Sequence, residues 1–157
     1  MIPRPYNTRY GSDNQLVFTA GTLAVVKVPC PGAGVIRRIA IRDVGLTAVG
    51  APATADGYSA DFYDHSDAFS TDLSAVGVGQ VTTVVMNSDA VLHKLLPTQT
   101  VAASSRDLLA IGEWAYNNDE PGRNESGRYI YLVLSIAGSG TKKFELAITV
   151  EPITTRN

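Results

Sequence analysis

The side chains with the greatest chemical potential in this sequence are the carboxylates and histidines of its middle third. An oxygen-rich stretch of the kind that binds Ca²⁺ contains Asp56, Asp61, Asp64, His65, Asp67 and Asp72. Its spacing matches no EF-hand loop, and Asp61 and Asp64 differ in parity, so they face opposite sides of a strand. We therefore predict a solvated strand end and loop here, with no metal site.

Other catalytic patterns are weaker still. His65 and His93 are the two histidines of the chain, and neither belongs to an H-x-H or H-E-x-x-H pattern. The chain has no G-x-S-x-G nucleophile motif, and the spacing of Glu113 and Asp119 does not indicate a glycosidase carboxylate pair. We expect a protein that is not an enzyme, with no catalytic residues, no cofactor and no metal.

One aromatic pair suggests a binding role. Trp114 and Tyr116 have the same parity near the end of a predicted strand, as sugar-stacking platforms do, and the polar loop 117–127 follows them. A tryptophan in the core is the competing interpretation. This pair leaves open a carbohydrate-binding or receptor-binding module.

The elements that must position these residues are β-strands. Val, Ile and Thr supply 39 of the 157 residues, whereas Lys and Glu together supply only nine. Branching at Cβ favours pleated surfaces over helices. Short strands recur at spacings of about 8–15 residues with Gly and Pro between them. We predict an all-β fold, an antiparallel two-sheet β-sandwich of jelly-roll type with an extended N-terminal arm.

Alternating patterns assign particular strands. Residues 35–44 place Ile39 and Ile41 on one face, opposite Arg38 and Arg42. Residues 144–150 alternate apolar and polar side chains, and residues 129–136 contain a similar apolar set. We expect these last two runs to pair as an antiparallel hairpin through the turn 138–140. Residues 81–86 and 90–96 are predicted as two further strands.

The N-terminal segment differs from the rest. We predict an extended arm over residues 1–14 and a single β-sandwich domain over residues 15–157. Two prolines exclude this segment from helix interiors and central strands. Its apolar and basic side chains suit attachment to a partner, so the predicted partner-binding residues are Ile2, Pro3, Arg4, Pro5, Tyr6, Arg9 and Tyr10.

Charge and composition exclude several classes of protein. Residues 1–45 carry a formal charge of +4, residues 46–125 carry −8 and residues 126–157 carry +2. A chain with net charge −2 and no basic face is not expected to bind nucleic acid. No apolar run is long enough for a membrane helix, and the N-terminus has no secretory h-region. The lone Cys30 excludes an internal disulfide.

The order of several segments resembles a known class of viral proteins. They are VIRRIAIRDV at 35–44, YSADFYD at 58–64, WAYNND at 114–119, YIYLVL at 129–134 and FELAITVEP at 144–152. This order resembles small jelly-roll capsid decoration (cement) proteins of tailed bacteriophages.

The resemblance implies a non-enzymatic structural virion protein, made in the host cytoplasm and located on the outer capsid surface. It would bind the major capsid protein across neighbouring subunits of the assembled shell, commonly as a homotrimer, without nucleic acid or membrane partners. The alternative is the carbohydrate-binding or receptor-binding β-sandwich module using Trp114, Tyr116 and the loop 117–127.

Overall fold

The computed structural model describes residues 6–10, 16–30, 33–46, 57–77, 79–102, 107–117, 129–136 and 141–152. Within these ranges the chain forms β-strands and two short 3₁₀ helices, Ser66–Ala68 and Ala90–His93. The strands are β1 Tyr6–Tyr10, β2 Leu16–Thr19, β3 Ala24–Pro29, β4 Ala33–Leu46, β5 Tyr58–Tyr63, β6 Thr82–Thr83, β7 Gln99–Val101, β8 Asp107–Asn117, β9 Tyr129–Ile136 and β10 Thr141–Pro152.

The strands form two antiparallel sheets that pack face to face as a β-sandwich. Sheet A has the order β1–β10–β4–β8, with β2 also paired to β10, and sheet B has the order β6–β3–β9–β5–β7. One apolar core lies between the sheets, with contributions from strands of both. The all-β, two-sheet prediction is confirmed.

Strand β10 shows how the sequence pattern becomes a half-buried strand. Its apolar residues Phe144, Leu146, Ile148 and Val150 are buried, and the residues between them are only partly buried. Such alternation is expected of an antiparallel strand with one face on the core. On the neighbouring β4, Ile39 and Ile41 are likewise buried while Arg38 and Arg42 are exposed, as predicted.

The predicted hairpin between the last two strands is wrong. Strand β9 pairs with β3 and β5 in sheet B, whereas β10 pairs with β1, β2 and β4 in sheet A. The reason lies on the second face of β9, where Tyr131 and Val133 are also buried. A strand that is buried on both faces belongs in the middle of a covered sheet.

The segment 64–96 covers the outer face of sheet B. Its apolar side chains join those on that face in a second buried cluster of Val25, Tyr63, Ala68, Phe69, Leu73, Val84, Ala90, Tyr131 and Val133. The strand predicted at 81–86 is wrong in extent, because it shrinks to the two residues of β6. The strand predicted at 90–96 is wrong, because the segment forms the 3₁₀ helix Ala90–His93 followed by an isolated bridge between Lys94 and Tyr63. Apart from the short strand β6, which pairs with β3, this segment packs its side chains onto the sheet instead of extending it.

The N-terminal segment also departs from expectation. From the sequence we predicted residues 1–14 as an extended arm outside the β-sandwich domain, but β1 pairs with β10 over Tyr6–Tyr10. Proline cannot donate to a ladder, yet an edge strand tolerates a preceding proline because its outer side needs no partner. Residues 1–5 lie outside the described residues, so the predicted roles of Ile2, Pro3, Arg4 and Pro5 stay predictions.

Candidate functional site

The acidic stretch is used to hold the irregular segment 64–96 against sheet B. Asp61 of β5 lies 3.0 Å from the Nζ atom of Lys94 and accepts a hydrogen bond of 2.5 Å from Thr98. Asp72 accepts a bond of 2.9 Å from the backbone N–H of Ser74, and this bond is the main cause that lowers the pKa of Asp72. Asp56 lies outside the described residues.

The two histidines lie side by side at the base of the same segment. Their ring centroids are 5.9 Å apart, and His65 is buried. The Nδ1 atom of His65 accepts a hydrogen bond of 3.0 Å from the backbone N–H of Asp67, which caps the first 3₁₀ helix. The Nδ1 atom of His93 lies 3.4 Å from an oxygen of Asp64. These contacts join the two helical turns to the end of β5.

Within the described ranges, no group of three or more His, Cys, Asp or Glu residues could hold a metal ion. The same part of the chain contains no helix with the length and apolar character needed to cross a bilayer.

The predicted aromatic pair does not form a two-ring platform. Tyr116 is only 5% exposed and belongs to the core cluster, where it hydrogen-bonds the thiol of Cys30. Trp114 is half-buried and packs against that core. Its ring lies so close to Gly112 that a Cβ there would come within 2.7 Å of it, which explains the glycine. The loop 118–127 lies outside the described residues.

The structure contains a buried ion pair that we did not predict from the sequence. Lys142 of β10 and Asp43 of β4 are both almost fully buried, and Nζ lies 3.6 Å from Oδ2. The signal for it was parity, because Lys142 is two residues before Phe144 and so shares the core face. Buried charges are normally paired, so this parity requires a partner from another strand. Asp43 also raises the pKa of nearby Tyr58, although burial of the phenol is the larger cause.

The outer face of sheet A has no cover from the described part of the chain comparable to the one on sheet B. Its centre consists of two rows. Each row contains one residue from β8, one from β4 and one from β10, and these three residues are neighbours in the strand register. One row is Leu109, Ala40 and Ala147, and the other is Ile111, Arg38 and Thr149. We call these six residues the central patch.

The central patch exposes large apolar side chains. Leu109 is 59% exposed and Ile111 is 73% exposed. Both belong to β8, which ends the order of sheet A, so they stand at the rim of the face. Beside them, Ala40 and Ala147 carry only short methyl side chains in the middle of the face. Isolated exposed apolar residues are common, but a group of them beside an arginine is a feature of protein interfaces.

Charged rows lie on both sides of the central patch. On one side, Arg37 donates to Glu113 at 2.6 Å and to Glu151 at 2.8 Å, and these bonds, with Glu151 first, raise the pKa of Arg37. Arg37 is an extra residue of β4 where the register with β10 shifts between Thr149 and Val150, a bulge that explains why Ile36 and Ile39 are both buried despite their odd spacing. On the other side, Arg42 stands opposite Asp107 and Glu145.

The N-terminal strand extends the same face. Arg9 stands opposite Ala147 in the register of β1 with β10, so its backbone continues the row of Leu109 and Ala40. Tyr6 and Tyr10 stand opposite Val150 and Leu146, which are core residues of β10. The register places the backbone of all three residues on the edge strand of sheet A, and their predicted role in partner binding stays a prediction.

The sequence was also compared with known proteins. No protein-family model matches the chain. No curated protein matches it significantly. The candidate site is consequently defined by its geometry alone.

Proposed function

We propose that this chain is a non-enzymatic structural virion protein that binds the outside of an assembled phage capsid and stabilises it across neighbouring major capsid subunits. The observation that carries this proposal is the unequal treatment of the two outer faces. The outer face of sheet B is buried under the segment 64–96, while the outer face of sheet A presents Leu109 and Ile111 to solvent. Val85, Val91 and Leu92 of the covering segment are also exposed, but Leu109 and Ile111 stand together on one sheet face, and a contiguous exposed apolar patch is a feature of interaction surfaces.

The pairing of the strands supports a jelly-roll winding. If β1 and β2 count as one interrupted strand and the two-residue β6 is set aside, eight strands remain. They pair first with last, second with seventh, third with sixth and fourth with fifth, as β1/β2 with β10, β3 with β9, β4 with β8 and β5 with β7. Successive pairs alternate between sheets A and B. This is the order of a long antiparallel ribbon rolled into two sheets, an architecture frequent among viral capsid proteins.

The proposed mechanism is multivalent attachment. A single copy with one small face binds weakly, but a homotrimer that engages several shell subunits at once gains avidity through a high effective concentration. Each copy then links neighbouring major capsid proteins and resists their separation. The protein would be made in the host cytoplasm and end on the outer surface of the virion.

Co-sedimentation with shells tests the proposal. Capsids of the parent phage, purified without this protein, are mixed with it at micromolar concentration and pelleted. We expect saturable binding and a raised temperature of shell disruption. Light scattering of the free protein should give about three times the 16.7 kDa chain mass. Absence of binding to shells, together with selective binding on a glycan array, would replace this function with the carbohydrate-binding alternative.

A further inference from the structure

We infer that the central patch docks onto an apolar surface of the major capsid protein that carries a carboxylate, and that this carboxylate pairs with Arg38. The inference rests on the proposed function and assigns the attachment face and its chemistry. It departs from the sequence-based prediction, which assigned attachment to the N-terminal segment.

The outer face of sheet A carries three arginines of β4 in different surroundings. Arg37 is held between two carboxylates, and Arg42 has a carboxylate opposite it on each neighbouring strand. Arg38 lies between them and differs. Its row neighbours are Ile111 and Thr149, and among the described residues no carboxylate forms an ion pair with it. Among the described residues, Arg38 therefore differs from Arg37 and Arg42 in having no carboxylate opposite it on a neighbouring strand or bonded to it.

The apolar neighbours of Arg38 would strengthen its bond to a carboxylate of a partner. A partner that covers Ile111 and Leu109 also removes water from the guanidinium between them and the neighbouring strand. A carboxylate on the partner then forms a charge-assisted, bidentate bond with Arg38 in a dry setting, where such bonds are strongest. Arginine flanked by apolar side chains is a frequent composition of interface hot spots.

The flatness of the patch limits the kind of partner. Ala40 and Ala147 raise no large side chain beside Leu109, and the register aligns them across three strands. A broad protein surface can approach such short side chains closely, whereas small-molecule sites are usually concave. The charged residues of the flanking rows form a polar rim, as in protein–protein interfaces.

The test compares four variants in the shell-binding assay. Arg38→Glu should weaken binding at least tenfold by repelling the partner carboxylate, and Arg38→Lys should weaken it less because the charge remains. Ile111→Ser should also weaken binding. The matched control is Leu92→Ser, because Leu92 is 77% exposed in the second 3₁₀ helix, outside sheet A. Melting curves verify that every variant is folded.

Salt dependence provides a second readout. Binding of the unmodified protein should weaken as ionic strength rises, and Arg38→Ala should make this dependence shallower. If the unmodified protein binds shells and Arg38→Glu binds equally well, the inference is overturned while the proposed function stands. A loss confined to Leu92→Ser would likewise overturn it. If the unmodified protein does not bind shells at all, the proposed function itself fails.

Discussion

The two outer faces of the sandwich are built from similar strands but meet different surroundings. On sheet B, Tyr131 and Val133 of β9 are buried beneath Phe69 and Leu73 of the irregular segment. On sheet A, the equivalent middle strand β10 carries only partly buried residues on its outer side. One face has therefore been completed as a second core, whereas the described part of the chain forms no comparable cover over the other.

The sequence patterns of the two middle strands already indicate this difference in burial. Strand β9 is an almost continuous apolar run, YIYLVLSI, while β10 alternates strictly through FELAITV. A continuous run signals burial on both faces, and alternation signals burial on one. The two strands follow each other in the chain, yet their patterns already distinguish the covered sheet from the open one.

Charge introduced on the two outer faces should give the largest contrast. Val133→Asp places an unpaired carboxylate in the second core, and we expect a loss of more than about 4 kcal/mol, enough to prevent soluble folding. Thr149→Asp puts the same charge on the open face, opposite Arg38, at a cost of about 1 kcal/mol or less. Soluble yield and urea denaturation measure both. Equal behaviour would show that the two faces are not different.

The buried ion pair is expected to give the next largest effect. Lys142→Met leaves Asp43 buried without its cation, at a cost of about 3–5 kcal/mol. The double variant Asp43→Leu/Lys142→Met removes both charges and should recover most of that loss. Denaturant unfolding of the two variants measures the difference. If the double variant were as unstable as the single one, the ion pair would contribute net stability beyond offsetting the cost of burying its two charges.

Removal of β1 tests whether the open sheet depends on its edge. A surface tail could be deleted at little cost, but β1 pairs with β10 along five residues. Deletion of residues 1–10 should therefore lower Tm by about 5 °C or more, equivalent to roughly 2 kcal/mol in a domain of this size. Deletion of residues 1–5 is the control because it retains β1. An unchanged Tm in the longer deletion would exclude β1 from the stable fold.

Alkaline pH probes the core that the two sheets share. Burial raises the pKa of the Cys30 thiol from 9.0 to about 12, despite hydrogen bonds with Tyr116 of sheet A and the backbone of Ile130 that lower it. Between these values the unfolded chain loses the thiol proton while the folded chain keeps it. The contribution is therefore complete below pH 9 and declines as pH rises toward 12, by at most about 1.4 kcal/mol per pH unit.

Cys30→Ala should reduce this alkaline loss without abolishing it. Burial is the main cause that raises the pKa of Tyr63. Deprotonation of this phenol in the unfolded chain therefore also lowers the stability of the protein as pH rises. Urea denaturation at several pH values between 8 and 11 gives the slope for each protein. Identical slopes for the variant and the parent would show that the thiol is not protected by the core.

Polar replacements in the central patch should have the smallest effect on stability. Leu109→Ser combined with Ile111→Ser removes apolar side chains that are already exposed, so the free energy of unfolding should change by only about 0.5 kcal/mol per substitution. Val25→Ser, at a fully buried position of the second core, provides the contrast and should be clearly destabilising. A large loss in the double variant would reveal that this face is packed within the protein itself.

The sequence by itself determined the strands and their inward faces, most clearly in β10 and around Ile39 and Ile41. That information is local, because alternation within a strand depends on residues two positions apart. Only the tertiary structure decided that β9 and β10 belong to different sheets, that residues 6–10 add a strand, and that Leu109, Ala40 and Ala147 form one row. Backbone hydrogen bonds can join any two extended segments, so pairing over long sequence separations is settled by which faces the whole chain can bury together.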